Sequence, residues 1–213
     1  MKKILFILLV LPFCMAGCRK DASNKGGDSK DYVGYIIQGK MKNTIVTDGG
    51  AEHPYVLTLM AGNKAKLLNL NGESTLNFHV EKDKIVLDDN GYFNLKDGQI
   101  TDWLIAGLNF TSANLGPQPG ASLLRGTKFK GVIHYPNFNL DFTAEIDFEA
   151  ATDQLFFAGD TQKYTYTPGG NIAAYVYDTP SKSSLFLIVQ NGKLNYESYS
   201  AADGIITATL DPK

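Results

Sequence analysis

Residues 137–149 read NFNLDFTAEIDFE, with a polar side chain at every odd position and an apolar one at every even position. Successive side chains of a strand point to opposite faces, so this alternation predicts a strand with one face on a core and one toward water. Phe138, Leu140, Phe142, Ile146 and Phe148 are the expected core residues. Asp141, Glu145, Asp147 and Glu149 form a row on the opposite face.

Shorter alternating runs fill the chain from residue 31 onward. Residues 55–60, 65–70, 75–80, 85–87 and 92–95 are separated by turn residues, among them Asn71-Gly72 and Asn90-Gly91. The pattern restarts over 126–135, 137–149, 155–157, 163–167, 172–177, 185–190, 193–199 and 205–210. Short strands punctuated by Asn-Gly and Asp-Gly pairs predict an antiparallel all-β fold built of hairpins. No amphipathic helix stands out after the leader, and residues 104–110 fit either a strand or a short helix. The expected architecture is a meander forming a barrel or a sandwich. It divides into a first β unit over 32–110, a Gly/Pro-rich connection over 111–122 and a second β unit over 123–213, all within one domain or as two. Displacing the chain by 87 residues lays Tyr55 on Phe142 and Gly39 on Gly126, and a shift of 94 lays Gly98 on Gly192, so the two units are candidates for related repeats.

Parity assigns registers to three hairpins. A turn at Pro136-Asn137 sets Lys128 opposite Glu145 and Tyr135 opposite Phe138. A turn at Asn191-Gly192, a type I′ sequence, sets Val189 opposite Leu194 and Leu187 opposite Tyr196. The other face of that hairpin carries Phe186, Ile188, Asn195 and Glu197; being half apolar, it is expected to meet another element. A turn over 168–171 sets Tyr164 opposite Tyr175, with Tyr166 and Tyr177 on the same side.

Two of these faces are candidates for chemistry. The four tyrosines offer flat apolar rings with polar tips, and so either a core face or a platform for a glycan or small apolar ligand. The acidic row is read as the solvated face of its hairpin, partly neutralised by Lys128 and Lys130, with a cation or basic-partner site as the alternative. Calcium needs several oxygens converging on one point, whereas alternate residues of a straight strand stand about 7 Å apart. His53, His79 and His134 are not at metal-ligand spacing. No nucleophile elbow, P-loop or dinucleotide fingerprint occurs, so no catalytic residue, metal or cofactor is assigned. Trp103 is the single tryptophan and has no second indole with which to form a clamp.

The first residues carry a different signal. Met1-Lys2-Lys3 is followed by a ten-residue apolar run, ILFILLVLPF, too short to span a bilayer as a helix. This is the order of a secretory signal peptide over residues 1–17. Met15-Ala16-Gly17-Cys18 then resembles the lipobox of bacterial lipoproteins, with small residues at the two positions before the cysteine and Met in place of the usual Leu. The resemblance implies cleavage before Cys18, which would carry diacylglycerol on its sulfur and an acyl chain such as palmitate on its amine. Several chains give stable anchoring, which one chain does not. It also implies that Cys14 leaves with the leader, so that no thiol remains for a disulfide or a nucleophile. The implied location is the bacterial cell envelope, anchored in the outer membrane. Residues 19–31, RKDASNKGGDSKD, lack any large apolar side chain and read as a flexible tether behind the lipidated cysteine.

Composition narrows the partners further. The 213 residues carry 20 basic and 22 acidic side chains, and loss of Lys2 and Lys3 with the leader leaves 18 basic ones. That balance excludes a nucleic-acid partner, which requires a basic surface. The folded part also resembles, loosely, the lipocalin-like β-barrel domains of some bacterial lipoproteins, although Gly34 is followed by Tyr35-Ile36 rather than by the G-x-W of lipocalins. The expected function is a non-catalytic binding lipoprotein taking a glycan or a small apolar ligand; the alternative is a structural or assembly component of an envelope protein complex.

Overall fold

The computed structural model describes residues 31–42, 50–88 and 90–213. The signal segment, Cys18 and most of the tether lie outside the described residues. Among those described, the regular structure is entirely β.

The first unit contains β1 (Tyr35–Lys42), β2 (Glu52–Met60), β3 (Lys64–Asn69), β4 (Gly72–Glu81), β5 (Lys84–Leu87), β6 (Gly91–Lys96), β7 (Gln99–Ile105) and β8 (Asn109–Pro117). Each strand pairs antiparallel with the next from β1 to β7, and β8 returns to pair with β1. A three-residue turn joins β7 to β8, and the Trp103 indole donates to the Phe110 carbonyl at 3.1 Å across that seam. The sheet thereby curls into a nearly closed barrel.

The second unit repeats the plan with β9 (Lys128–Tyr135), β10 (Leu140–Phe148), β11 (Gln154–Phe157), β12 (Tyr164–Thr165), β13 (Thr167–Gly169), β14 (Ala173–Asp178), β15 (Ser183–Gln190), β16 (Lys193–Ser200) and β17 (Gly204–Pro212). β17 pairs with both β16 and β9. β12 and β13 are two pieces of one extended segment, the first pairing with β11 and the second with β14. Counting them as one, each barrel is an eight-stranded meander closed by its first and last strands.

A shared device marks both closures. A Cβ built on Gly39 of β1 would lie 2.0 Å from the Ser112 carbonyl oxygen of β8. A Cβ on Gly131 of β9 would lie 3.0 Å from the Thr209 carbonyl oxygen of β17. Glycine in a strand permits this close backbone approach. Gly39 therefore corresponds in position to Gly131, not to Gly126 as the uniform 87-residue displacement has it.

β8 occupies much of the stretch expected to be a connection. Phe110 and Leu115 are buried inside the barrel, and Gly116 and Pro117 sit at the strand's end, where loss of a donor is tolerated. Residues 104–110 are neither a continuous strand nor a helix but the end of β7, a turn and the start of β8.

Each barrel has its own interior. Tyr55, Phe93 and Phe110 fill the first, with the Tyr55 and Phe110 ring centroids 4.3 Å apart. Phe129, Phe148, Tyr166, Leu187 and Leu194 fill the lower part of the second. A third buried cluster joins the outer faces of the two barrels: Ile36, Val56 and Leu68 pack against Ala173, Phe186 and Ile188. Gly169 and Gly170 lie against that cluster, where a Cβ on either would come within 2.5 Å of Leu68 or Ile36. Elsewhere between the barrels, the His53 Nδ1 of β2 and the Glu197 Oε1 of β16 are 2.5 Å apart, both side chains buried. The expectation that Phe186, Ile188 and Glu197 face another element is thus met by the other barrel.

Candidate functional site

The second barrel has an opening at the end where β14 meets β15 and β16 meets β17. There the second barrel opens into a cavity of about 320 Å³. Its walls are the inward-facing Tyr135, Phe157, Tyr164, Leu185, Tyr196 and Ile206. Phe157 and Tyr164 meet edge to face, with centroids 6.1 Å apart. The rim is polar, with Asp178 and Ser183 on one side and Ser198, Ser200 and Asp203 on the other. Alternation along the strands explains this order. Val176 and Asp178 share the inner face of β14, and Tyr196, Ser198 and Ser200 share that of β16, each running from apolar below to polar above.

The rim is tied together by its turns. The Asp178 carboxylate accepts from the Ser181 hydroxyl and, at 3.3 Å, from the Ser181 amide. Asp203 Oδ2 accepts from the Ser200 hydroxyl at 2.8 Å. Asn137, at the tip of the β9–β10 hairpin, donates to the Ala202 and Asp203 carbonyls at 3.2 Å each. Desolvation, and then the Asp160 and Asp178 charges, push the Tyr164 hydroxyl above its ordinary value. Burial, followed by smaller contributions that include Asp203, pushes Tyr196 up to about 12. Both hydroxyls therefore stay protonated and can donate to a ligand.

The four tyrosines do not form one platform. Thr167 pairs with Tyr175, so the register is displaced from the expected one and its parity is reversed. A shift of odd parity sends a strand's side chains to the other face. Tyr164 and Tyr166 point into the barrel, Tyr164 at the mouth and Tyr166 buried below it. Tyr175 packs on the outer face toward the first barrel, and Tyr177 is 55% exposed outside.

The acidic row lies on the outer face of β10, as expected, but is less solvated than its alternation implies. Asp147 is only 6% exposed and is paired with Lys128. Glu145 accepts from Lys213 at 2.7 Å, Glu149 pairs with Lys163, and Asp141 pairs with His134 at 2.7 Å. Lys128 faces Asp147 and Lys130 faces Glu145, two residues from the expected register, because the turn spans four residues with Asn139 left-handed. The carboxylates do not converge. Among the described residues no group of three or more His, Cys, Asp or Glu side chains is arranged to hold a metal ion.

The same hairpin corrects the expected core. Ile146 and Phe148 are buried, but Phe138, Leu140 and Phe142 are 68%, 57% and 50% exposed. β11 pairs only with residues 146–148 of β10, so the outer half of the hairpin stands above the barrel with no neighbour on that edge. Leu140 is the cross-strand partner of Tyr135, which lines the cavity, so the exposed apolar residues form a lip beside the mouth. Sequence reading named Tyr196 and Tyr199 as candidate additions to the tyrosine face but missed Tyr135, Phe157 and the serines, since their convergence depends on closure between β9 and β17, over 70 residues apart.

No family model matches the chain, and no curated protein or solved structure matches it significantly.

Proposed function

We propose that the chain is a lipid-anchored envelope lipoprotein that binds a small ligand, a glycan or a compact apolar molecule, without transforming it. The mouth of the second barrel is the observation that carries this reading. An eight-stranded barrel is just wide enough to be filled by side chains or to hold one small ligand. Aromatic walls with a few convergent hydroxyls suit a ring that is apolar on its faces and polar at its edge. The lipobox-like segment ending at Cys18 supports the anchor.

Binding is tested by a glycan array and a panel of apolar fluorophores, using the intact protein beside its Ser198→Trp variant. The cavity reading expects a ligand that wild type retains and the filled variant loses. Equal binding by both would place the ligand elsewhere. For the anchor, Cys18→Ser is expected to release the protein from the membrane fraction.

A second reading rests on the lip. Phe138, Leu140 and Phe142 on a free strand edge suit a protein partner in an envelope assembly. Crosslinking from that hairpin in native membranes would reveal one.

A further inference from the structure

The cavity has an electrostatic character that the fold alone does not require. Two carboxylates, Asp178 and Asp203, stand on its rim. Among the described residues that line it, none is lysine, arginine or histidine. Each carboxylate is held in place by one oxygen bonded to a serine of its own turn, through Ser181 and Ser200. The walls below present aromatic rings, whose faces carry partial negative charge.

From this arrangement, and resting on the reading of the cavity as a ligand site, we infer that the second barrel selects a ligand bearing an ammonium or similar organic cation beside an apolar ring, and rejects anionic counterparts. A cation seated in the mouth meets the two carboxylates and the ring faces together. A carboxylate, sulfate or phosphate group there meets two like charges, with no basic lining residue to compensate them. The cost of such like-charge contact rises as the mouth excludes water. The exposed lip at Leu140 and Phe142 extends the apolar side of the same opening, so the ring end of a ligand has a surface to lie on while its charge sits at the rim.

The experiment compares three probes of one size, benzylammonium, benzyl alcohol and benzoate, titrated at pH 7 into the isotope-labelled intact protein and followed by amide shifts of the lining residues. Benzylammonium is expected to bind at least tenfold more tightly than benzoate, with benzyl alcohol between them. In the Asp178→Asn, Asp203→Asn double variant the amide oxygens can still accept from Ser181 and Ser200, so the turns are preserved; an unchanged thermal midpoint verifies this. There the ammonium is expected to fall to the affinity of the alcohol, whose own affinity stays constant. Equal binding of all three probes by wild type would overturn the charge selection and leave the binding cavity standing. A preference that survives the double variant would also overturn it. Absence of shifts at the lining residues with every probe would remove the charge selection and the cavity reading together.

Discussion

The two barrels share a strand plan yet use their interiors differently. In the first, Phe110 meets Tyr55 and Phe93 in tilted ring contacts within the interior, and Trp103 of β7 bonds to β8. In the second, large side chains fill the lower part, and the upper part is a cavity lined by tyrosines and serines. One topology thus supports a packed body and an open cup.

The strongest test of this contrast is stability. Phe93→Ala removes a fully buried ring from the first barrel and is expected to cost about 3–5 kcal/mol. Tyr164→Ala at the mouth of the second is expected to cost about 1 kcal/mol or less, as for a partly exposed side chain. Urea unfolding of both variants measures the two values. Equal losses would mean that the mouth is as tightly packed as the other barrel's core.

The junction comes next. Glu197→Ala leaves His53 buried without its carboxylate, and losing one partner of a buried pair costs about 3 kcal/mol. Because this pair bridges the barrels, calorimetry is expected to resolve two unfolding transitions in place of one. A single transition with an unchanged midpoint would show that the apolar cluster around Phe186 holds the barrels together unaided.

The closure glycines sharpen the comparison further. Gly39→Ala drives a methyl group into the Ser112 backbone, whereas Gly131→Ala meets contacts at 3.0–3.1 Å, one of them to the Leu210 side chain. Overpacking costs about 1–3 kcal/mol. Gly39→Ala is expected near the upper limit and Gly131→Ala near the lower, as read from thermal midpoints.

The smallest effects separate the barrels by pH. On the first, hydrogen bonds that the His79 ring donates to the Glu81 and Asp88 carboxylates raise its pKa above the ordinary 6.5. Its stabilising contribution is therefore complete below that value and is lost as pH rises through the raised one. On the second, Lys213 lowers the Glu145 pKa and Lys163 lowers that of Glu149. Their contribution is present above the ordinary carboxylate range and disappears as pH falls through the lowered values. Exposed pairs are worth little. His79→Gln is accordingly expected to lower the thermal midpoint by a degree or two at pH 5.5 and not at pH 9, while Glu145→Gln does so at neutral pH and not at pH 3.

Much of the fold is legible from local pattern. The Asn191-Gly192 hairpin has its expected register, with Val189 opposite Leu194 and Leu187 opposite Tyr196, because a two-residue turn leaves little freedom. The β9–β10 hairpin keeps its expected faces but shifts by two residues, since Asn139 lengthens the turn without changing parity. The tyrosine hairpin fails because the chain passes from β12 to β13 at Tyr166 and changes partners there. β1 and β7 carry weaker alternation and go unread, although β1 is the strand on which the first barrel closes.

By itself, the sequence determined the all-β class, most strand positions and the polar and apolar sides of the clearest hairpins, because these follow from alternation and turn chemistry within a few residues. Tertiary structure alone decided that Phe138, Leu140 and Phe142 lie exposed, since burial needs a covering strand and β11 stops short of them. It also decided that the outer face of β15–β16 is an interface and that Tyr135, Tyr164 and Tyr196 surround one opening. Those relations arise only when β1 meets β8 and β9 meets β17, contacts between residues far apart in the chain that no local pattern specifies.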